Sequence, residues 1–389
     1  MDAARYAKTQ FGSAVRTAGA HGYVAYVPNP LPRHLEVGSA VVAQLADAES
    51  ALGRLAGAGR LLPDPLLLAR PFLQREAVAS TRIEGTQVTH PELFELTTTD
   101  DLPNADLEET LNYVRALNYG VERAEQLPLS TRLVRELHEL LLAGVRGRDR
   151  APGQLRRSQN WVGHGGASIQ TAEFVPPPFE MVGDLLSDWE RYIHEDQHTS
   201  PLIECALLHY QFETIHPFLD GNGRMGRLLI VLILMHRRRL PAPLLYLSPW
   251  FEQQRDRYYQ LLQGVRERGD LDAWLLFFLQ GVERQSADAL ARAERLVDLR
   301  EQYRGVAATI RGQTVKVVDL AFERPMLTTR LVEQRLDVSK PTAMRLLTAL
   351  ADHGVLTERP PGQRGRRRWA ASAIIAEIIR DEIELEETL

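Results

Sequence analysis

The chain has 389 residues and a formal net charge of −5, and 44% of its residues are hydrophobic. This length predicts two or three domains, and the composition is that of a globular protein. The small negative charge gives no overall nucleic-acid signature, so any DNA contact must be local. The single cysteine, Cys205, excludes an intramolecular disulfide, and the most apolar run, residues 228–235, is too short to span a bilayer. We therefore expect a soluble cytoplasmic protein without a membrane partner.

Most of the chain is predicted to be amphipathic helix, because apolar residues recur at three- and four-residue spacing. The predicted helices span residues 37–58, 71–83, 107–126, 131–142, 179–194, 203–215 and 224–238. Residues 159–175 break this pattern with three glycines and strand-prone side chains, and they predict a β-hairpin that projects from the helical body. The predicted fold class is therefore mainly α with a small hairpin.

The character of the sequence changes near residue 317. Residues 328–335 and 339–353 predict two short helices joined by a turn, which is helix-turn-helix order. An arginine-rich Gly/Pro segment follows at residues 360–369, as in the wing of a winged-helix domain. Because such domains contact DNA or other proteins, both kinds of partner stay open. The residues predicted to contact DNA are Lys340, Arg345, Arg366 and Arg367.

The segment that points to chemistry is HPFLDGNGRMGR, residues 216–227, a glycine-rich loop between two strongly apolar helices. Gly221 and Gly223 let backbone amides approach a ligand closely, and the next helix begins with N–H groups that have no partners. Such a loop is an anion site, and phosphate fits it. Arg224 and Arg227 lie three residues apart on one helix face, where both can donate to phosphate oxygens.

Two further side chains of this segment suit phosphate chemistry. Asp220 supplies the hard carboxylate oxygen that Mg²⁺ prefers. His216 follows the first helix and has an ordinary pKa near neutrality, so it is a candidate general base. A plain helix connector would explain the glycines, but not the histidine, the carboxylate and the arginines around them.

The same segment resembles the Fic motif HxFx(D/E)GNGRxxR and satisfies every fixed position. This resemblance implies a protein adenylyltransferase in which His216 takes the proton of a Ser, Thr or Tyr hydroxyl, and that oxygen attacks the α-phosphate of ATP. It also implies ATP and Mg²⁺ as cofactors, with Asp220 as the metal ligand. The phosphate-binding residues that it implies are Gly221, Asn222, Gly223, Arg224 and Arg227. The alternatives are transfer of another nucleotide or phosphoryl group, removal of AMP, and a DNA-binding regulator with a nucleotide-sensing Fic core.

A second segment, STRIEG at residues 80–85, resembles the inhibitory motif (S/T)xxxE(G/N) of one Fic class. Glu84 precedes a glycine that is expected to end a helix, where a carboxylate opposes the negative end of the helix dipole and favours a nearby cation. In the family this cation is the second arginine of the Fic motif, here Arg227. Ser80 and Glu84 are the predicted inhibitory residues, and a solvated glutamate is the alternative.

The resemblance extends to a flap and to an adenine-side helix. In the family the flap pairs with an extended segment of the target protein, and its predicted residues here are Gly163, His164, Gly165, Gly166, Ala167 and Ser168. Gln254 and Tyr258 lie in the helix that resembles the adenine side, and a place in the core is the alternative for Tyr258. The predicted partners are a target protein or the chain itself, and a homodimer is a further option.

The predicted organisation has four parts. A helical region with the inhibitory motif spans 1–105, the Fic core 106–285, a helical linker 286–316, and a winged-helix-like domain with an acidic tail 317–389.

Overall fold

The protein is described by a computed structural model over residues 1–18, 22–61, 65–96, 104–124, 126–145, 149–163, 166–195, 199–360 and 367–380. The prediction of a mainly α fold is confirmed. The helices are α1 (Ser39–Leu61), α2 (Pro65–Ile83), α3 (His90–Leu96), α4 (Ala105–Ala124), α5 (Thr131–Leu141), α6 (Val182–His194), α7 (Pro201–Ile215), α8 (Asn222–His236), α9 (Ser248–Gln253), α10 (Arg255–Arg268), α11 (Leu271–Ala308), α12 (Thr314–Glu323), α13 (Thr329–Leu336), α14 (Lys340–Asp352) and α15 (Ser372–Ile378). The strands are β1 (Gly12–Arg16), β2 (Val24–Pro28), β3 (Met326–Thr328), β4 (Thr357–Arg359) and β5 (Arg368–Ala370).

The centre of the fold is the pair α7 and α8, which pack against each other. Every residue of α7 from Leu202 to Ile215 is buried, and α8 is buried over most of its length. A helix that is apolar on all sides belongs in the middle of a domain. Around this pair, α4 contacts α5 and α8, and α2 contacts α4, α8 and α9. The loop between α7 and α8 is therefore held from several sides.

Helix α2 begins earlier than the sequence pattern predicts. The prediction starts this helix at Pro71, because apolar residues recur at helical spacing over residues 71–83. The helix instead begins at Pro65 and carries Pro71 in its interior. Pro71 cannot donate the backbone hydrogen bond that a helix interior requires. The packing of Phe72, Leu73 and Ala77, all buried, compensates for this loss.

In the described parts of the predicted hairpin, residues 159–163 and 166–175, the pairing is one antiparallel bridge between Val162 and Phe174. Glycine-rich segments add few side chains to cross-strand packing, which accounts for the missing strands. The N-terminal strands β1 and β2, which the sequence pattern did not reveal, form an antiparallel pair beside this segment. The Tyr26 amide of β2 donates to the Val175 carbonyl at 2.9 Å and joins the strand pair to this segment.

The C-terminal part follows the long helix α11, which continues without a break past residue 286, where the predicted linker begins. Strands β3, β5 and β4 form an antiparallel sheet in that order, and α13 and α14 occupy the predicted helix-turn-helix positions. The winged-helix assignment and the domain boundaries stay predictions. Helices α12 and α15 pack against α2, and Arg368 forms an ion pair with Glu95 of α3 at 3.2 Å. Across the described ranges, no helix has the length and apolar character needed to cross a membrane.

Candidate active site

The loop between α7 and α8, residues 216–221, is called the HPFLDG loop below. His216 ends α7 in the left-handed conformation (φ 50°, ψ 60°), and Gly221 (φ 77°) precedes α8. The Asn222 side chain closes the loop: its Oδ1 accepts from the Phe218 amide and its Nδ2 donates to the Phe218 carbonyl, both at 2.9 Å. The side chain of Asn222 therefore shapes the loop, and its backbone N–H is one of the first of α8, which have no partner within the helix.

His138 of α5 packs against the HPFLDG loop and holds its backbone. Its ring stacks on the buried Phe218 ring with centroids 3.7 Å apart. Its Nε2 lies 2.9 Å from the Asp220 carbonyl and must donate there, since a carbonyl only accepts, while its Nδ1 accepts from the Gly153 amide at 2.9 Å. Burial lowers the pKa of His138 to about 4, which keeps the ring in the neutral form that this pattern requires.

Arg156 fixes the end of α7. It is 3% exposed, its Nε donates to the His216 carbonyl at 2.9 Å, and its Nη2 donates to the Pro177 carbonyl at 2.6 Å. A cation at a helix C-terminus satisfies the last carbonyls and complements the helix dipole. Arg156 thereby connects the HPFLDG loop to the outgoing arm of the segment that was predicted as a flap.

The His216 ring is a neutral base with one nitrogen available. Its Nδ1 lies 3.3 Å from the Glu213 carbonyl, so Nδ1 carries the proton and Nε2 has a lone pair. Burial, followed by the charge of Arg156, lowers the pKa of His216 to about 4. The residue as a whole is half-buried rather than fully buried.

Arg224 is buried and paired with a residue that the motif does not contain. Its Nη1 lies 3.2 Å from Glu109 Oε2 on α4, and the two side chains are 4% and 5% exposed. Its Nη2 lies 3.5 Å from Asp220 Oδ1, whose side chain is 43% exposed. Arg224 thus connects the core of the protein to the exposed carboxylate of the loop.

Arg227 meets both predicted inhibitory residues. Its Nε donates to Ser80 Oγ at 2.9 Å, and its Nη2 donates to the Ser80 carbonyl at 2.9 Å and to Glu84 Oε1 at 2.7 Å. Burial alone would raise the pKa of Glu84, but the Arg227 guanidinium outweighs burial and holds this pKa below its usual value. A methyl group on Gly223 would lie 2.3 Å from Glu84 Oε1, so the carboxylate rests directly on the start of α8.

The donors at this point suit a phosphate chain. Among the residues that the structure describes, no side chain caps the start of α8, and two buried guanidinium nitrogens, Arg224 Nε and Arg227 Nη1, have no hydrogen-bond partner. Buried donors in this state favour an anionic ligand. Among the described residues, no group of three His, Cys, Asp or Glu side chains could hold a metal ion. The Asp220 side chain is 43% exposed, and Mg²⁺ at this carboxylate stays a prediction.

Comparison with known proteins identifies this arrangement. Residues 42–122 match the Fic/DOC family N-terminal region, and residues 128–234 match the Fic/DOC family. The chain is a Fic domain protein. The HPFLDG loop and the start of α8 lie within the Fic match, and Ser80 and Glu84 lie within the N-terminal match.

Curated relatives of this Fic protein bear the name protein adenylyltransferase Fic. The relative from Drosophila grimshawi is 31% identical over 179 residues, which are 45% of this chain and 33% of that protein. The relative from Drosophila ananassae is 30% identical over the same length. The chain thus spans about a third of the length of these relatives.

Solved structures show the same fold. A Fic family protein from Desulfovibrio desulfuricans G20 has a TM-score of 0.58 at 21% identity, covering 87% of this chain and 98% of its own. Fic-1 from C. elegans has a TM-score of 0.51 at 21% identity, with 66% of this chain and 74% of its own covered.

The predicted flap of this Fic protein lies beside the HPFLDG loop. The Asn160 Nδ2 donates to the Phe218 carbonyl at 2.8 Å and joins the base of this segment to the loop. Trp161 is 44% exposed, and its Nε1 donates to the Ala167 carbonyl at 2.8 Å. Gly163, Gly166, Ala167 and Ser168 form the described part of the tip, whereas His164 and Gly165 lie outside the described residues.

The assignment of Tyr258 to the adenine side is not supported by the structure. Tyr258 is fully buried, its hydroxyl contacts His209 Nε2 at 2.8 Å, and its ring stacks on Phe251. The apolar face of α10 turns this ring into the core, so it presents no surface to a nucleotide. Gln254 is half-buried between α9 and α10, where its Oε1 accepts from Arg257 Nη1 at 3.1 Å.

The residues predicted to contact DNA differ in their surroundings. Lys340 and Arg345 are exposed on α14. Arg367 is exposed but bound to Glu358 by two hydrogen bonds of 2.6 and 2.8 Å, which offset its charge. Arg366 lies outside the described residues. DNA binding stays a prediction.

Proposed function

We propose that this Fic protein transfers AMP from ATP to a Ser, Thr or Tyr hydroxyl of a target protein, and that Glu84 restrains the reaction. The proposal rests on two features that occur in one loop: a neutral His216 whose Nε2 is unprotonated, and a start of α8 without a side-chain cap. One group accepts a proton and the other stabilises phosphate charge. The names of the curated relatives support the same class of reaction.

In the proposed reaction, His216 Nε2 accepts the proton of the target hydroxyl as its oxygen bonds to the α-phosphorus. The bond from that phosphorus to the bridging oxygen breaks, and pyrophosphate leaves with the electron pair. The first amides of α8 and the buried donors of Arg224 and Arg227 stabilise the charge that develops on the phosphates. Mg²⁺, held by Asp220, would add positive charge at the phosphates.

The proposed restraint rests on a shared donor. Arg227 Nη2 is occupied by Glu84, so the outer phosphates of ATP must compete with a carboxylate for the same guanidinium. A charge-assisted hydrogen bond of this kind contributes about 1.5–3 kcal/mol. Docking of Glu84 would therefore reduce productive ATP binding by about 10- to 150-fold.

We assign the target protein to the flap side of the HPFLDG loop. The base of the flap is tied to the loop through Asn160, so a segment bound along it lies at a fixed position relative to His216. The exposed Trp161 ring adds apolar surface for such a segment. Extended peptides that pair with an existing strand obtain their register from backbone hydrogen bonds.

The test is labelling with α-labelled ATP and Mg²⁺, comparing the wild type, Glu84→Gly, and Glu84→Gly/His216→Asn. Asparagine is chosen because it tolerates the left-handed backbone of His216. We expect label on protein to rise about 10-fold or more with the first change and to fall about 10²- to 10⁴-fold with the second.

The same experiment separates the alternatives. Label from γ-labelled but not α-labelled ATP would indicate phosphate transfer and contradict the proposal. Bound ATP without label in any variant would indicate another donor nucleotide or a sensor that acts through the C-terminal part.

A further inference from the structure

Glu213 is a buried carboxylate that the proposed reaction does not use. It lies on α7, three residues before His216, and is 7% exposed. Its backbone carbonyl accepts from the His216 ring, but its side-chain Oε1 is buried without a hydrogen-bond donor from the described part of the chain. An unsatisfied buried carboxylate is costly, so its presence beside the site requires an explanation.

The surroundings of Glu213 place it against the arginine end of the site. A methyl group on Gly226 of α8 would lie 2.2 Å from Glu213 Oε1, so the carboxylate lies directly against that helix. Arg227 is the next residue of α8, and its Nη1 is also buried without a partner. Arg227 donates a hydrogen bond to one carboxylate, Glu84, and its charge also acts on the carboxylate of Glu213.

The other charged and titratable groups around Glu213 come from three elements. Arg266, Tyr258 and Tyr259 face it from α10, His209 lies one turn earlier on α7, and Glu84 follows α2. Burial lowers the pKa of His209 to about 3, so this ring is neutral at physiological pH. Arg227, Arg266 and Glu84 are therefore the charges that act on Glu213 at neutral pH.

Two carboxylates near one guanidinium do not ionise independently. Burial raises the pKa of Glu213 to about 7; Arg227 opposes this shift, and the negative charge of Glu84 adds to it. Removing the anion from Arg227 therefore lowers the pKa of Glu213, and replacing it with a phosphate raises this pKa again. By linkage, ionisation of Glu213 weakens the docking of any anion on Arg227.

We propose that Glu213 is the charge-compensating acid of this site, which binds a proton when an anion docks on Arg227 and releases it when the anion leaves. The anions are the Glu84 carboxylate and, resting on the proposed function, the outer phosphates of ATP. The proton comes from solvent and forms an O–H bond on the Glu213 carboxylate, and no other bond changes. Glu213 acts through Arg227 and is a positioning residue rather than a catalytic one.

The test is calorimetric titration of the full chain with ATP, in the Glu84→Gly/His216→Asn background, with and without Glu213→Gln. This background removes the competing carboxylate, prevents turnover and eliminates the imidazole as a proton acceptor. Titrations at one pH in buffers of different ionisation enthalpy count the protons bound. Donation from an arginine to ATP stabilises the ionised phosphate and releases protons, so net uptake is diagnostic of a protein group.

We expect proton uptake on binding ATP in the parent and none with Glu213→Gln. The affinity of the parent for ATP should weaken as pH rises from 5.5 to 8.5, by about tenfold for each unit by which docking raises the pKa of Glu213. The Gln variant should lack this loss, and AMP, which has no outer phosphates, should show neither effect in either protein. Glu213→Asp should restore the uptake.

Glu204→Gln is the matched control, because Glu204 is a 2% exposed carboxylate on the same helix that pairs with Arg237 away from the site. It should bind ATP with the proton uptake of the parent. Equal uptake in the parent and in Glu213→Gln would overturn the inference alone. ATP binding to neither protein would overturn the proposed function with it. If Glu213→Gln does not fold, uptake by the parent with ATP but not with AMP supports the inference, and its absence overturns it.

Discussion

Arg224 and Arg227 stand one turn apart on α8, and each pairs with a glutamate from another helix segment. The Arg224–Glu109 pair has both side chains closed off, at 4% and 5% exposure. In the Arg227–Glu84 pair the arginine is 1% exposed and the glutamate 34%. The same two chemical groups thus form one contact that belongs to the core and one that opens to solvent.

The difference follows from where each glutamate is attached. Glu109 lies within α4, so moving it away from Arg224 requires moving a helix of the core. Glu84 follows the last residue of α2, just before Gly85, whose φ of 98° turns the chain. A residue at a helix end can leave with a local change of the backbone, so only the second pair is suited to exchange with a ligand.

The largest expected difference between the two pairs is in their contribution to the free energy of unfolding. Glu109→Gln should lower the free energy of unfolding by about 3 kcal/mol, because it leaves a buried arginine without its main counter-charge. Glu84→Gln should lower it by about 1 kcal/mol at most, because glutamine can still accept the hydrogen bond from Arg227 and water screens the charge that is lost. Urea unfolding of both variants measures this, and equal losses would contradict the distinction between a core pair and an open pair.

An intermediate effect is expected from adding a methyl group on each side of Arg224. Gly226→Ala would bring its Cβ to 2.2 Å from the buried Glu213 and should cost about 2 kcal/mol, as in an overpacked core. Gly223→Ala meets only the far end of the partly exposed Glu84 side chain at 2.3 Å, besides Arg227 Nη1 at 3.0 Å, and should cost about 1 kcal/mol or less. Thermal unfolding in parallel compares them, and a larger loss for Gly223→Ala would reverse the expected order.

The smallest effect concerns the turn after Glu84. Gly85 has open space around its missing side chain, so Gly85→Ala introduces backbone strain and no clash. The strain is about 1 kcal/mol and is relieved when the turn reshapes, so labelling by ATP should rise by about fivefold or less. Gly183→Ala, within α6 and also in open space, is the control that should leave labelling unchanged. Unchanged labelling with Gly85→Ala would show that this turn does not hold Glu84 in place.

The sequence predicted the parts of the site that are contiguous along the chain. The spacing of His216, Asp220 and Arg227 places a loop between two apolar helices, and the resemblance joins Arg227 to Glu84. The sequence could not reveal Glu109 or His138 as parts of the site. Each comes from a helix distant in sequence, and its local pattern is that of an ordinary polar residue on an amphipathic helix. Arg156 was equally hidden, since its buried position depends on the end of α7 rather than on its neighbours in sequence.

Two further differences have local causes. Strands β1 and β2 are short, and their apolar and polar residues alternate weakly, so the sequence did not predict them. Their contact with the segment around Val175 joins residues that are far apart in sequence. Tyr258 was assigned by its register in a motif, whereas the side of α10 on which it lies decides its burial. Sequence similarity fixes a position along a helix more reliably than it fixes the neighbours of that position.

Helix α2 contacts both the helices around the candidate active site and the helices of the C-terminal part. Its 19 residues span about 28 Å as a single rod, with Ser80 near one end and with α12 and α15 packed against it. A chain shortened before residue 317 would therefore lose the neighbours that seat this rod as well as the domain itself. Labelling by such a shortened protein would therefore depend on how α2 packs without these neighbours, and it should not be equated with labelling by the Glu84→Gly variant.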